Sequence, residues 1–281
     1  MKISIIIPTL GRKEQVAQLL SSLTAVKNFR HEIIIVDQNF NNTLDEIVDK
    51  YSTSYNVIHY KVDFRGLSKA KNFGIEIARG KYICFPDDDS KFLEDTIYNA
   101  FNILDNDSKI DIVFGRCIDE DGVDSVIKFS KNEAELSLNN FNGKFIEATM
   151  FAKTDILKKN KFDENMGIGT FFGAEEGYDL IYRLLNQKLK LYYSPRIKFY
   201  HPQTLTDYSN FNSLKRVFEY RKGFSYLCLK HKLYKKLIKR VLLVFFSIPI
   251  FFIIDGKKAR YYTVEFLSLI IGIIFSNQKR R

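Results

Sequence analysis

The chain reads as an α/β protein with a Rossmann-like, mainly parallel sheet, followed by amphipathic and membrane-associated helices at its C-terminal end. Three observations predict this. Short β-branched apolar runs alternate with segments of helical spacing over the first 115 residues. Each run ends in polar or turn-forming residues, where such sheets bind their ligands. The last quarter of the chain holds two long apolar runs among lysines and arginines.

Residues 2–7 are nearly all apolar and suit a strand buried on both faces, ended by Pro8, Thr9 and Gly11. Residues 12–24 place Val16, Leu19, Leu20 and Leu23 at helical spacing. Glu32 to Val36 repeats the strand pattern and stops at Asp37. A helix with Leu44, Ile47 and Val48 on one face follows, then a strand over Val57 to Val62. Leu67 to Ala78 is a third helix stopped by Gly80, and Tyr82 to Phe85 a fourth strand ending in Pro86-Asp87-Asp88-Asp89. Phe92 to Leu104 is helical, and Ile110 to Phe114 is a fifth strand. The rhythm then changes. Ser125 to Ser130, Phe145 to Phe151, Leu189 to Tyr193 and Ile197 to Tyr200 suit strands, and Glu176 to Leu185 a helix. No linker composition intervenes, so residues 1–115 and 116–205 read as the nucleotide and acceptor halves of one catalytic domain. Residues 206–240 read as a basic amphipathic helix and 241–281 as a membrane-associated hairpin.

The 281 residues are 46% hydrophobic and 27% charged, a globular balance with a formal net charge of +10. The charge is unevenly placed. Residues 206–281 carry 16 basic and 4 acidic side chains, whereas 1–205 carry 27 and 29. That split argues against a nucleic-acid-binding body and for a basic anchoring tail. Cys84, Cys117 and Cys228 form no CxxC pair, so neither a disulfide framework nor a zinc site is signalled. The opening apolar run is broken by Pro8 and meets Arg12 without a cleavage pattern, so the chain is expected on the cytosolic side. Neither GxGxxG nor GxxxxGK[ST] occurs, which excludes a dinucleotide fingerprint and a P-loop.

The polar residues past the strand ends are Thr9, Arg12, Asp37, Asp63 and Asp87–Asp89. Asp87 and Asp89 can share a face of extended chain. Two convergent carboxylates call for a cation, and Mg²⁺ or Mn²⁺ with diphosphate oxygens completes such a site. An acidic turn capping the next helix is the plainer alternative. Glu175, Glu176 and Asp179 follow a glycine-bearing run, Gly167 to Gly173. There they suit either a general base or ordinary acids at a helix start. His201 in Tyr200-His201-Pro202 is a further metal-ligand candidate.

These residues resemble a known family. Ser4 to Thr9 with Gly11-Arg12, Ile35-Val36-Asp37, Arg65 to Gly74, and Phe85 to Asp89 are similar, in order, to the signatures of family-2 glycosyltransferases with the GT-A nucleotide-sugar fold. The resemblance covers residues 3 to about 202. It implies that Pro8, Thr9 and Arg12 line a nucleotide pocket and that Asp37 bonds the base, commonly uracil. Lys71 would face the diphosphate, Asp87 and Asp88 would lie on the sugar-nucleotide side, and Asp89 with His201 and Asp87 would hold Mn²⁺ or Mg²⁺. The family's E-D-x-D-L motif appears here as Glu175-Glu176-Gly177-Tyr178-Asp179-Leu180. Counting from Asp179 puts Gly177 at the base position, and counting from the acidic pair puts Glu176 there, with Glu175 the alternative. The processive members' Q-x-x-R-W element cannot occur in a chain with no Trp. The implied reaction is an inverting, metal-dependent transfer of one sugar from a nucleoside-diphosphate donor to a saccharide or lipid-linked acceptor, with no nucleic acid involved. The competing readings are a metal-dependent nucleotidyltransferase and a non-catalytic nucleotide-sugar-binding membrane adaptor.

The tail's uncharged run, 241–254, is 14 residues long. It would reach about 21 Å as a helix against roughly 30 Å of hydrocarbon. Asp255-Gly256-Lys257-Lys258 interrupts, Phe266 to Ser276 is apolar again, and the chain ends Lys279-Arg280-Arg281. Basic flanks on every side favour a pair of helices lying along, or dipping into, the cytoplasmic leaflet. Two soluble core helices and a two-span hairpin are the alternatives.

Overall fold

The computed structural model describes residues 2–25, 30–203 and 207–278. The opening run forms β1 (Ile3–Thr9), whose Ile3, Ile5, Ile6 and Ile7 are wholly buried. Pro8 is the sixth residue of β1, opposite Val36, so the strand continues through it to Thr9. Then come α1 (Lys13–Ser22), β2 (His31–Asp37), α2 (Asp45–Ser52), β3 (Val57–Lys61), α3 (Leu67–Ile77) and β4 (Tyr82–Cys84). β1 to β4 are parallel, in the order β3-β2-β1-β4. This is the Rossmann-like half expected from the alternation.

A polar knot seals the lower edge of these strands. Glu32 is fully buried, yet its Oε1 accepts from Ser4 Oγ at 2.5 Å and from the Arg79 amide at 2.7 Å. Gly80 donates to Ser4 Oγ at 2.8 Å, and a Cβ there would lie 2.5 Å from the Ile3 carbonyl carbon. Only glycine permits that approach.

The sheet continues through short elements, and here it departs from a parallel pattern. β5 (Lys91–Phe92) precedes α4 (Thr96–Asn106), which starts four residues later than periodicity suggested. Thr96 Oγ1, accepting from the Leu93 amide at 2.9 Å, organises that turn. β6 (Ile112–Ile118), β7 (Ala134–Glu135), β8 (Phe151–Lys153) and, beyond α5 (Thr154–Lys159) and α6 (Glu176–Asn186), β9 (Leu191–Tyr200) complete nine strands. β8 inserts antiparallel between β4 and β6. The boundary expected at 115/116 falls inside β6, because the sheet runs through it without interruption. Ser125–Ser130 is irregular, preceded by an isolated bridge between Ile118 and Asp124, and 147–149 is a 3-10 turn. The two strands expected at 189–200 are one. The β6–β9 register shifts across Ser194–Ile197, where Pro195 has no amide proton for the ladder.

The chain forms two compact units. The first is Met1–Arg65, Lys69–Lys161 and Leu180–Thr204, and contains the sheet. The second is Gly66–Ser68, Phe162–Asp179 and Leu205–Arg281. It is built on α7 (Phe211–Lys230), α8 (Tyr234–Ile254) and α9 (Gly256–Gln278), around Phe224, Cys228, Leu237, Val244 and Leu269. The helix expected over 206–240 breaks at His231–Leu233, so Lys235, Lys236, Lys239 and Arg240 belong to α8. The 205/206 boundary and the terminal Lys279-Arg280-Arg281 lie outside the described residues. All three cysteines are buried thiols.

Candidate active site

The acidic triplet follows β4 by two residues, and its three carboxylates have different partners. Asp88 turns toward β1: Thr9 Oγ1 donates to its Oδ2 at 3.0 Å, and Arg12 Nη1 lies 3.1 Å from its Oδ1. Arg12 Nη1 also reaches Asp89 Oδ2 at 2.5 Å. Asp87 and Asp89 turn toward the end of β9. His201 Nε2 lies 3.5 Å from Asp89 Oδ1 and 3.8 Å from Asp87 Oδ2, and one ligand atom from each residue falls within 4.8 Å of the others. The His201 amide donates to Ile118 O at 2.9 Å, tying the residue to the end of β6.

The donor set fits a divalent cation. His201 Nδ1 lies 2.8 Å from Pro202 O and must donate there, since a carbonyl oxygen only accepts. With Nδ1 as the donor, Nε2 is the ring atom that faces the two carboxylates, and an imidazole nitrogen beside two carboxylate oxygens is a donor set that suits a divalent cation. Protein atoms crowd Asp87, although two-fifths of its side-chain surface is still exposed. Withdrawal from water pushes its carboxyl up to about 6; Glu147 and Asp89 add to this, and Lys71 and His201 oppose it. Burial also raises Asp88, against the pull of Arg12 and Thr9.

Other expected residues take more specific places. Asp37, at the end of β2, is completely buried. Its Oδ1 accepts from the Asn39 amide and Nδ2 at 2.9 and 2.7 Å, and its Oδ2 lies 2.9 Å from His59 Nε2. Lys71 on α3 is 1% exposed and paired with Glu147 from the 3-10 turn, so its ammonium is not presented bare to a ligand. Pro8 is buried within the sheet, and Asp63 is exposed after β3. Glu147, His59 and Asn39 carried no signal in the sequence: each is an ordinary polar residue until the strands bring it to a buried charge.

In the second unit the acidic segment opens α6. Glu175 has φ of 74°, a left-handed conformation that costs a non-glycine residue energy and recurs at functional sites. Glu176 is 7% exposed and packs by Gly167, whose added Cβ would lie 3.2 Å from Glu176 Cδ. Asp179 is fully buried, with Lys230 Nζ at 2.7 Å and His231 Nε2 at 2.8 Å from its Oδ1. Lys230 and His231 thus hold Asp179 in the first turn of α6. The glycine run is itself pinned, as Ser68 Oγ donates to Met166 O at 2.7 Å and Leu67 N to Ile168 O at 2.9 Å.

The profile of Glycosyl transferase family 2 matches residues 4–179. The chain belongs to this family. The minor teichoic acid biosynthesis protein GgaB of Bacillus subtilis is 26% identical over 197 residues, 63% of this chain and 20% of GgaB. The chain thus spans a fifth of that relative's length. Among solved structures, residues 1–349 of Staphylococcus aureus TarS in complex with UDP-GlcNAc align over 82% of this chain and 67% of that one, at 21% identity and a TM-score of 0.60. The Pyrobaculum calidifontis mannosyltransferase PcManGT, in complex with GDP-Man and Mn²⁺, aligns over 99% of this chain and 75% of that one, at 12% identity and a TM-score of 0.59. The family-2 chain thus shares the mixed α/β fold of these glycosyltransferases.

Proposed function

We propose that this family-2 chain is an inverting glycosyltransferase that moves one sugar from a nucleoside-diphosphate sugar to a hydroxyl of a saccharide or lipid-linked acceptor, in polysaccharide or glycoconjugate assembly. The observation that carries the reading is the convergence of Asp87, Asp89 and His201 beyond the ends of β4 and β9. A UDP-linked donor is favoured by the UDP-GlcNAc held by TarS, and a cell-surface polymer acceptor by the teichoic acid role named for GgaB.

In this proposal Thr9, Arg12, Asp37 and Asp88 bind the nucleotide side, with Asp37 held in place by Asn39 and His59. Asp87, Asp89 and His201 would hold Mn²⁺ or Mg²⁺, which would supply positive charge to the diphosphate oxygens. Lys71, with Glu147, sets the charge balance around Asp87. Glu176, or Glu175 beside it, accepts the acceptor hydroxyl's proton as its oxygen attacks the anomeric carbon. The bond from that carbon to the diphosphate oxygen breaks, the nucleoside diphosphate leaves, and configuration inverts. The chain works at the cytoplasmic leaflet of a membrane, held by its basic, apolar C-terminal helices.

The test is nucleoside diphosphate release by the full chain with a panel of nucleotide sugars and saccharide acceptors, with and without Mn²⁺. Release should need a particular donor and a divalent ion, and Asp89→Ala should abolish it while leaving the circular dichroism spectrum unchanged. Full activity of that variant, or in excess chelator, removes the metal from the proposal.

A further inference from the structure

The two long apolar helices have opposite surroundings. In the apolar stretch of α8, 11% of the residues are buried, against 33% in that of α9. On α8, Ile238, Leu242, Phe246 and Ile253 follow one another at helical spacing, and each is exposed, Ile253 to 87%. Lys235 and Lys239 are exposed at the start of this helix, and Lys257 and Arg260 are exposed just past its end. An apolar stripe with cations at both ends matches a surface whose interior is apolar and whose boundary is anionic.

α9 is occupied on its other side. Ser268 Oγ donates to Phe218 O on α7, Ser225 Oγ on α7 donates to Leu269 O at 2.9 Å, and a Cβ at Gly272 would lie 2.8 Å from Lys222 Cα. Glu265 is fully buried between Arg221 Nε of α7 and Arg240 of α8, at 2.7 Å from Arg221 and 2.5 Å from Arg240 Nη2. α7 carries Lys215, Arg216, Glu219, Arg221 and Lys222, so it cannot enter hydrocarbon, and α9 runs beside it from Glu265 to Gly272. α8 has 21 residues and is long and apolar enough to cross a membrane by length and composition, but its uncharged stretch, 241–254, covers only about 21 Å of a roughly 30 Å hydrocarbon core, with Arg240 before it and Asp255 just past the helix end.

We infer that α8 is the principal lipid-facing helix: it lies flat in the headgroup region of an anionic bilayer, its Ile238–Ile253 stripe down, with Lys235 and Lys239 of α8 and Lys257 and Arg260 at the start of α9 on lipid phosphates, while α9 exposes only Leu267, Ile274 and Phe275 as large apolar side chains among the described residues. α9 is the bracket that fastens α8 to α7. This rests on the membrane reading above and narrows its pair of helices, lying along or dipping into the leaflet, to one principal in-plane helix.

The chain has no Trp, so a single introduced one reports alone. Phe246→Trp sits near the middle of α8 on an exposed position, and Ile253→Trp provides a second reporter near its end. Each variant is mixed with phosphatidylcholine vesicles or with vesicles containing equal parts of phosphatidylglycerol. Emission should shift to the blue with the anionic vesicles, which should bind at least about tenfold more tightly than the neutral ones. Quenchers placed shallow in the acyl chain should act more strongly than those at the bilayer centre at both positions. Strongest quenching of Phe246→Trp from the bilayer centre means a spanning helix and overturns the inference, leaving the membrane reading intact. Equal binding to neutral vesicles overturns the anionic partner. No vesicle binding by the full chain overturns the membrane reading itself.

Discussion

Arg12 grips Asp89 through one carboxylate oxygen, Nη1 to Oδ2 at 2.5 Å, and leaves the other oxygen, Oδ1, facing His201. The guanidinium therefore sets the rotation of a proposed metal ligand without occupying the atom that would bind the ion. Outer partners of this kind typically alter metal affinity or activity by about 10- to 100-fold. Arg12→Gln should weaken Mn²⁺ binding by that order in a calorimetric titration. Its melting temperature should barely change, because Arg12 is half-exposed and exposed ion pairs contribute little. Unaltered Mn²⁺ affinity would show that the contact is incidental.

Lys71 and Glu147 give a stability prediction. Lys71 is almost fully buried between Glu147 and the charge of Asp87, and removing Glu147 takes away the carboxylate paired directly with its ammonium. Glu147→Leu should lower the urea midpoint, and Lys71→Met/Glu147→Leu together should cost less than the sum of the singles. Additive losses would mean that the pair is not coupled.

Glu176 and Asp179 stand one helical turn apart and should behave differently. Glu176→Gln should lower kcat by about 100-fold or more with an unchanged melting temperature. Asp179→Asn should lower the melting temperature, because Lys230 and His231 lose a buried carboxylate. Full turnover in Glu176→Gln would move attention to Glu175.

Asp163 gives a pH prediction. Burial pushes its carboxyl up, but the hydrogen bond from Lys230, with Asn165 adding, outweighs this and holds it below the ordinary carboxylate range. A depressed folded-state pKa contributes stability that is complete above the unfolded value, about 3.9, and is lost as pH falls through the lower folded value. Urea midpoints should therefore drop on acidification below about pH 4, and less steeply in Asp163→Asn. Parallel profiles for the two proteins would remove Asp163 from the acid response.

The parallel half of the sheet was legible because burial on both faces leaves a β-branched run that needs no partner to recognise it. β1 and β2 show this, and their ends announced Thr9, Asp37 and, after β4, the acidic triplet. The half from 116 to 200 was harder to read. β7 and β8 are two and three residues long, too short for a period, and their pairing depends on neighbours distant in sequence.

Residue type and order determined the family, the two acidic clusters and the basic apolar tail, since each is a local chemical pattern. Tertiary structure alone decided which partners each carboxylate meets. Asp89 meets His201 across 112 positions of chain, whereas Asp179, equally acidic in the sequence, is taken by Lys230 and His231. It likewise separated α8 from α9, both long and apolar in the sequence, because burial follows from packing against α7 and residue type does not record what lies alongside.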